Sequence, residues 1–457
     1  MEIDIKDIHS LHSVSKQGIQ ILEKLDTVIE NAEEIRERKG VENPELIKSL
    51  DIVKNFLIKT KRICYGGMAI NAQLPKEKQF YDFSRELPDY DFFSPTPDDE
   101  VDELVSMLKK GKFKNVSIRL AVNPGTTKIN VNYNSVADIT YMPLWVFTEI
   151  SKKAFVGNDG TYYADPDFLR MKMYLELSRP LGEVDRWKKV YQRLLLLSEN
   201  KPVNIESCSP VKRILIPKHV HKMLLEYTIQ NELIFLGAEI QKIYEDPSVF
   251  HKEVLENSVH PVLVLSPNPE KDAESVKKEL EQFYTKNELH LLHLQQEGEY
   301  IPGLFGVIHK KTILFLAIQE HMCHSYNPVP YKKKSLFLSS LDNTIYIFYL
   351  LSYLHELEGV LPYTFECFAK QLVKISNETR DKNKSGIFPL FPITCRGYQP
   401  TIQSLLQHKQ IRVKAYKVAQ KIRKRRKTLR KREDSKGREG SKGNKDSKDS
   451  TLKRKGT

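Results

Sequence analysis

The sequence predicts an α+β architecture: a mixed sheet with flanking helices, a second unit with a similar order of elements, and a basic, mostly disordered tail. Three observations carry it. Strand-like and helical patterns alternate between residues 62 and 200, a strand, helix and hairpin order recurs after Pro202, and the positive charge is gathered at the C-terminal end. With 457 residues, and about 150 per domain as a guide, there is room for two or three cores.

Residues 5 to 62 place Ile8, Leu11, Val14, Ile19, Leu22, Leu25 and Ile29, then Leu46, Leu50, Val53, Phe56 and Leu57, at helical spacing. This predicts a helical segment over 1–61, broken near Gly40 to Pro44. A short apolar run from Arg62 closes on Gly66 and Gly67 and opens a unit over 62–200, in which Asp89 to Phe93 reads as a strand. Thr96-Pro97-Asp98-Asp99 is a helix start: a capping hydroxyl, proline in the first turn and acids at the positive dipole end, with the helix running to Lys110. Val116 to Val122, Ile129 to Tyr133 and Val136 to Tyr141 are β-rich, separated by Asn-Pro-Gly and Asn-Ser turns. Helices follow from Asp165 through Glu176 and from Glu183 to Leu197.

In the second unit, 201–408, helix is expected at Lys218 to Tyr244 and Glu274 to Tyr284. Strands are expected at Val262 to Leu265, Leu289 to Leu294 and Thr312 to Ile318, and a buried helix at Leu341 to Leu354. The order resembles the first unit, with no repeat visible at residue level.

Composition excludes several classes. The longest apolar stretch, Ile345 to Leu354, falls well short of the roughly 18–20 residues a membrane-spanning helix needs. The opening Met-Glu-Ile-Asp-Ile-Lys-Asp lacks the basic start and apolar run of a secretory signal, so a soluble, non-exported protein is expected. Cys64, Cys208, Cys323, Cys367 and Cys395 are odd in number and scattered, which predicts reduced thiols in a cytosol-like compartment. His321, Cys323 and His324 lack a second ligand pair and read as structural. The remaining histidines, His219, His221, His290, His293, His309 and His355, have no matching nucleophile or metal spacing and receive no role.

The charge is unevenly placed. From Lys409 to Thr457 there are 21 Lys and Arg against 5 acids, a net of +16, which leaves the rest of the +13 chain at −3. The tail, 409–457, begins with a basic helix carrying Ile411, Val413, Val418 and Ile422, and beyond about Glu433 its composition predicts disorder. Such a tail gains affinity for a polyanion by releasing counterions, without reading sequence, so RNA or DNA is the expected partner. A solubilising or nuclear-import tail is the plainer reading.

The informative constellation is Gly66-Gly67, then Asp89 and Asp91, then Asp138. Strand residues two apart share a face, so Asp89 and Asp91 project together while Tyr90 points into the core. Side-by-side carboxylates repel unless a cation joins them, and hard Mg²⁺ takes such oxygen ligands. Asp138 lies between Ala137 and Ile139 on a candidate strand, where an acid is costly unless paired or metal-bound. If the two strands are neighbours, three carboxylates can hold two metals for phosphoryl transfer. The double glycine lets backbone N–H groups approach a triphosphate.

Tyr65-Gly-Gly-Met-Ala-Ile-Asn71, Leu87-Pro-Asp-Tyr-Asp-Phe-Phe-Ser94 and Ala137-Asp-Ile-Thr-Tyr-Met-Pro143 resemble the catalytic poly(A) polymerases of large cytoplasmic DNA viruses, in the polymerase-β-like nucleotidyltransferase superfamily. Asp185-Arg-Trp-Lys-Lys-Val-Tyr191 adds to the likeness, which is specific over about 60 to 195 and looser to about 400. The resemblance implies a nucleotidyltransferase-like catalytic domain and a second, degenerate nucleotidyltransferase-like lobe, silent because it has no second Gly-Gly and D-x-D. It implies Gly66 and Gly67 at the nucleotide phosphates, and Asp89, Asp91 and Asp138 as catalytic metal ligands for Mg²⁺ or Mn²⁺. It also implies ATP as substrate, an RNA 3′ end as acceptor, and either a homodimer or a virus-encoded processivity partner. The implied location is the host cytoplasm, in the viral factory, with packaging into the virion as a second possibility.

Two departures stand out. Met68 occupies the place where the superfamily often has a phosphate-binding serine, and the longer gap before Asp89 implies an inserted loop, Gln73 to Arg85, which could touch primer or partner. Candidate cations for triphosphate or RNA are Arg170, Lys172, Arg186, Lys188 and Lys189, of which Lys172, Arg186 and Lys189 are assigned to the nucleotide. Trp187 could stack a base, though helix packing is its commoner use. The expected function is template-independent addition of AMP to RNA 3′ ends in mRNA polyadenylation, by a two-metal mechanism. Alternatives are a uridylyl- or CCA-adding transferase and a non-catalytic RNA-binding scaffold on a relic fold. A metal-dependent nuclease fits less well, because it needs no phosphate cradle.

Overall fold

A computed structural model describes residues 16–206, 208, 215–246, 250, 252–297, 301–354, 362–379 and 388–443. They form two compact units, one of residues up to 119 together with 125–399, the other of 120–124 together with 400 onward. His355 and the expected helix before Lys16 lie outside the described residues.

In the larger unit the N-terminal pattern becomes two helices, Lys16–Val41 and Pro44–Thr60. Asn43 caps the second, its side-chain oxygen accepting from the N–H of Glu45 at 3.0 Å and of Leu46 at 3.2 Å. Leu46, Leu50, Val53, Phe56 and Leu57 line one face at helical spacing and are buried. Full burial of each is worth about 1.5–3 kcal/mol, enough to pin this helix to the sheet. The first sheet has strand order β3-β4-β5-β2-β1-β7-β6. Its members are β1 (Ile63–Cys64), β2 (Tyr90–Ser94), β3 (Val116–Leu120), β4 (Thr126–Val131), β5 (Asn134–Tyr141), β6 (Phe155–Val156) and β7 (Tyr162–Tyr163). Helices Gly66–Asn71, Pro97–Lys110, Leu144–Lys152, Pro166–Leu177 and Trp187–Asn200 accompany it.

The second sheet has order β10-β11-β12-β9-β8-β14-β13-β15. It comprises β8 (Ile234–Phe235), β9 (Val262–Ser266), β10 (Leu289–Leu294), β11 (Leu304–His309), β12 (Thr312–Gln319), β13 (His324–Tyr331), β14 (Lys334–Ser339) and β15 (Cys395–Arg396). Apart from the added edge strand β15, each strand occupies the place of the one seven earlier in the chain. Pairing directions agree as well: β5 with β2 and β12 with β9 are parallel, β2 with β1 and β9 with β8 antiparallel, β1 with β7 and β8 with β14 parallel. The second sheet thus repeats the first. Equivalent helices, Pro166–Leu177 and Leu341–Leu351, pack on each other, and Tyr349 donates to Asp167 at 3.0 Å between them.

The repeat reaches residue level, contrary to the sequence reading. Ser94-Pro95-Thr96-Pro97 ends β2 and starts a helix; Ser266-Pro267-Asn268-Pro269 does the same after β9. Both serine hydroxyls accept the N–H two residues on, from Thr96 at 3.0 Å and Asn268 at 2.9 Å. Divergence between the prolines hides the copy in a linear scan.

Several other expectations change. The β4–β5 turn is Asn132-Tyr133, both at positive φ, two residues before the Asn-Ser pair expected, because those two residues adopt the left-handed geometry that suits the twist of a tight hairpin. The expected helix from Lys218 to Tyr244 is two helices, Lys218–Gln230 and Ile240–Glu245, with β8 inserted between them. Its apolar run Leu233 to Leu236 is wholly buried, which suits a central strand as well as a helix. Cys208 with Cys367 and Cys323 with Cys395 form disulfides, with Cα–Cα distances of 5.7 and 5.5 Å, so the expectation of five reduced thiols is corrected. Separations of 159 and 72 residues carry no framework spacing; only the tertiary fold brings the partners within reach. Cys64 is free and buried.

In the smaller unit, helix Ile402–Gly443 continues past Glu433, where disorder was expected. Lys and Arg up to Arg432 are good helix formers, whereas propensity does not account for the Ser- and Gly-bearing stretch after Glu433. Arg412 on this helix donates to the carbonyl oxygens of Ala121, Val122 and Asn123. Among the described residues no helix is long and apolar enough to cross a membrane.

Candidate active site

The site is built on three adjacent strands. Asp91 on β2 is directly paired with Asp138 on parallel β5, and Asp138 is directly opposite Lys128 on antiparallel β4. Directly paired residues share a face of the sheet. A row Lys128, Asp138, Asp91 therefore crosses the sheet. Asp89 sits two residues before Asp91, just ahead of β2, and its charge acts on both other acids.

The placement of Lys128 depends on a β-bulge. From the turn, Val131 pairs with Asn134 and Asn130 with Ser135, but the register shifts so that Ile129 pairs with Ala137. Unshifted pairing would set Lys128 against Ala137. One extra residue on β5 turns the ammonium onto the acid instead.

Lys128 Nζ donates to Asp138 Oδ2 in a short ion pair. The other oxygen, Asp138 Oδ1, is sealed from solvent, and the Ser135 side chain joins Lys128 in favouring the charged carboxylate. Burial pushes the Asp91 carboxyl up to about 7, the charges of Asp89 and Asp138 push the same way, and Lys128 and Lys172 oppose them. Burial likewise raises Asp138, against the pull of Lys128. These are carboxylates short of positive charge.

Gly66 adjoins them. It has φ +72°, in the left-handed region, and a Cβ built there would lie 2.8 Å from Asp91 Oδ2. Tyr65 N–H donates to the Asp91 carbonyl at 2.9 Å, which ties the glycine bend to β2. The Tyr65 ring stacks on Phe93 at 4.1 Å, its hydroxyl meets Thr140 at 2.8 Å, and Lys172 Nζ lies 5.6 Å from its centroid. Over Gly67 lies Tyr81, whose hydroxyl would clash with a built Cβ, with Arg193 Nη1 at 3.2 Å. Asn71 Oδ1 accepts from the N–H of Phe80 and Tyr81 at 2.8 and 3.0 Å, so the inserted loop folds back over the double glycine.

The predicted cations divide. Lys172 lies within the field of Asp91. Arg186 pairs with Glu183 at 2.7 Å and Glu176 at 3.3 Å, and Arg170 is buried against Asp167 at 2.6 Å. Lys188 and Lys189 are exposed on their helix. Trp187 donates to the Glu176 carbonyl at 3.1 Å and packs near Phe391, so it is a packing residue. Sequence reasoning missed Lys128, Tyr81 and Arg193. Lys128 could be found only by pairing β4 with β5 through the bulge. Arg193, seven residues beyond Arg186, lies on the same helix face, and that spacing was the available signal.

Among the described residues no group of three or more His, Cys, Asp or Glu side chains is gathered closely enough to hold a metal. The donor set still fits a hard divalent cation: its ligands are all oxygens, and its carboxylates are buried and repel one another.

A family profile described as "Poly(A) polymerase catalytic subunit" matches residues 51–183, a span that includes the double glycine and all three acids. A protein of Acanthamoeba polyphaga mimivirus, named as a candidate poly(A) polymerase catalytic subunit, is 28% identical over 243 residues, 49% of this chain and 40% of that protein. A protein of the same name from African swine fever virus (isolate Pig/Kenya/KEN-50/1950) is 28% identical over 228 residues, 46% of this chain and 47% of that protein. The chain thus spans less than half the length of these curated relatives. The crystal structure of the Megavirus polyadenylate synthase superposes with TM-score 0.70 at 19% identity, covering 89% of this chain and 84% of that one. At that identity the match establishes a shared fold, and the sequence similarity to viral poly(A) polymerase catalytic subunits agrees with the motifs.

Proposed function

We propose that the chain is a template-independent polynucleotide adenylyltransferase that adds AMP from ATP to RNA 3′ ends. The observation that carries this reading is the pairing of Asp91 with Asp138 against the side-chain-free bend at Gly66. Similarity over residues 51–183 to catalytic subunits of viral poly(A) polymerases supports it.

Asp89, Asp91 and Asp138 would hold Mg²⁺, or Mn²⁺ of the same hard class. When bound, the divalent cations lower the pKa of an attacking hydroxyl and clamp the leaving pyrophosphate. Gly66 keeps a Cβ away from Asp91 and Gly67 keeps one away from Tyr81 and Arg193, so that phosphate oxygens can approach the backbone at the bend. Arg193 and Lys172 supply charge for the triphosphate on either side of the bend, with Tyr65 and Phe93 as a rigid floor. The basic helix of the smaller unit retains RNA through its backbone charge. Because the relatives are named catalytic subunits, a virus-encoded processivity subunit or a second copy is the proposed partner, in the host cytoplasm.

The test is to incubate the purified chain with an oligo(A) primer, Mg²⁺ or Mn²⁺, and each nucleoside triphosphate in turn. Extension with ATP preferred is expected. Nucleotide binding without extension would favour the RNA-binding scaffold, and preference for UTP or CTP would favour the other transferases.

A further inference from the structure

Adenylyl transfer by carboxylates and divalent cations requires no ammonium among the acids, yet Lys128 stands in their row. We propose that Lys128 is the resident counterion of the metal-free site, an internal competitor that a divalent cation must displace in order to load. This rests on the adenylyltransferase reading of Asp89, Asp91 and Asp138.

Three observations converge. The bulge between Ile129 and Asn130 sets Lys128, and not its neighbour, opposite Asp138. Its ammonium takes Asp138 Oδ2, while Ser135 is the carboxylate's other hydrogen-bonding side chain, so Lys128 supplies the positive charge bonded to that acid. The lysine side chain is 40% exposed against 11% for the aspartate, so the ammonium can swing into solvent without opening the sheet while the carboxylate stays.

The second sheet is the internal control. It has a bulge at the matching place, between Val307 and Ile308, and there the residue equivalent to Lys128 is Gly306, opposite Leu316. Where the acid is missing, the ammonium is missing too, although the backbone device is kept. A cation competing for the same oxygens weakens metal binding by the free energy of the pair it gives up.

The test is a Mn²⁺ titration of the full chain without nucleotide, reading the electron paramagnetic resonance signal of the free ion. Lys128→Met is expected to bind Mn²⁺ at least about tenfold more tightly than wild type, Lys128→Arg to stay weak, and Asp138→Asn to lose binding. Should Asp138→Asn lose binding while Lys128→Met binds no tighter than wild type, the competitor is refuted and the acid site stands. Should Asp138→Asn bind as wild type does, the ions sit elsewhere and both readings fall. Melting gives a second measure: Lys128→Met should melt below wild type in EDTA and gain more on adding Mn²⁺. Equal gains would overturn the proposal.

Discussion

The two sheets of the larger unit share strand order, pairing directions, bulge position and a Ser-Pro-x-Pro helix entry, but differ along one row of side chains. In the first sheet that row is Lys128, Asp138, Asp91; in the second, by the same register, it is Gly306, Leu316, Leu263. Asp89 corresponds to Pro261, while Gly66 has Gly237 in its place. Leu316 and Leu263 are buried, and no charge must be balanced there. The scaffold needs only a residue that fits the row, so the acids are a load it carries. One copy carries charge in that row and the other carries buried apolar side chains.

The contrast is broken most severely by exchanging the rows. Asp91→Asn or Asp138→Asn should reduce primer extension by at least about a hundredfold, the scale of losing one preorganised electrostatic group, while Asp91→Asn raises the melting temperature by removing a mutually repelled carboxylate. Leu316→Ala should do the opposite, costing about 2–5 kcal/mol of stability and leaving turnover per folded molecule unchanged. Denaturant titration beside initial rates separates the two.

Next is the bend. Gly66→Ala forces a Cβ into left-handed backbone and against Asp91 Oδ2, and extension should fall about tenfold to a hundredfold, as for other small misplacements of reacting groups. Gly237 is not among the positive-φ glycines, so its conservation in the copy has another cause, close contact with Phe235 and Glu239.

A third prediction concerns equivalent helix caps. Asp165 caps Pro166–Leu177, accepting from Asp167 and Phe168 N–H at 3.0 and 3.2 Å, whereas Ser340 caps Leu341–Leu351. Burial, aided by the charge of Asp167, pushes the Asp165 carboxyl up to about 6. The folded state therefore holds this proton more tightly than the unfolded chain. Its contribution is fully present below about pH 4 and is lost as pH rises to about 6. Asp165→Asn, which keeps the cap neutral, should flatten that slope and add about 2–3 kcal/mol at pH 7, measured by urea unfolding across pH 4 to 7.

The smallest effect on chemistry should come from the other unit. Truncation before Lys421 should shorten products, while single-nucleotide addition persists. The dependence of RNA retention on salt should also flatten, because fewer counterions are released. Processivity unchanged by truncation would give the basic helix a role other than holding RNA.

Much of the fold could be read in advance because local periodicity and capping act over a few residues. Leu46, Leu50, Val53, Phe56 and Leu57 at helical spacing marked one helix, and Thr96 to Asp99 marked another. Short strands escaped. β6, β7 and β8 have two residues each, too few to show alternation, and β13 carries Pro328 and Pro330 at exposed positions that disguise it as loop. The acids and glycines were legible because D-x-D and Gly-Gly are local patterns. Lys128, Arg193 and Tyr81 were not, because each reaches the site from a different element.

The sequence alone determined which side chains are available: two glycines, three acids, a dense cationic tail, and an apolar row in the copy. Tertiary structure decided which of them meet. Strand pairing put residue 91 beside 138, a one-residue bulge chose 128 over its neighbour, and folding closed disulfides across 72 and 159 residues. The physical reason is range. Helix caps and periodicity are satisfied within a turn or two, whereas register is fixed by hydrogen bonds and burial between segments whose separation the chain does not encode.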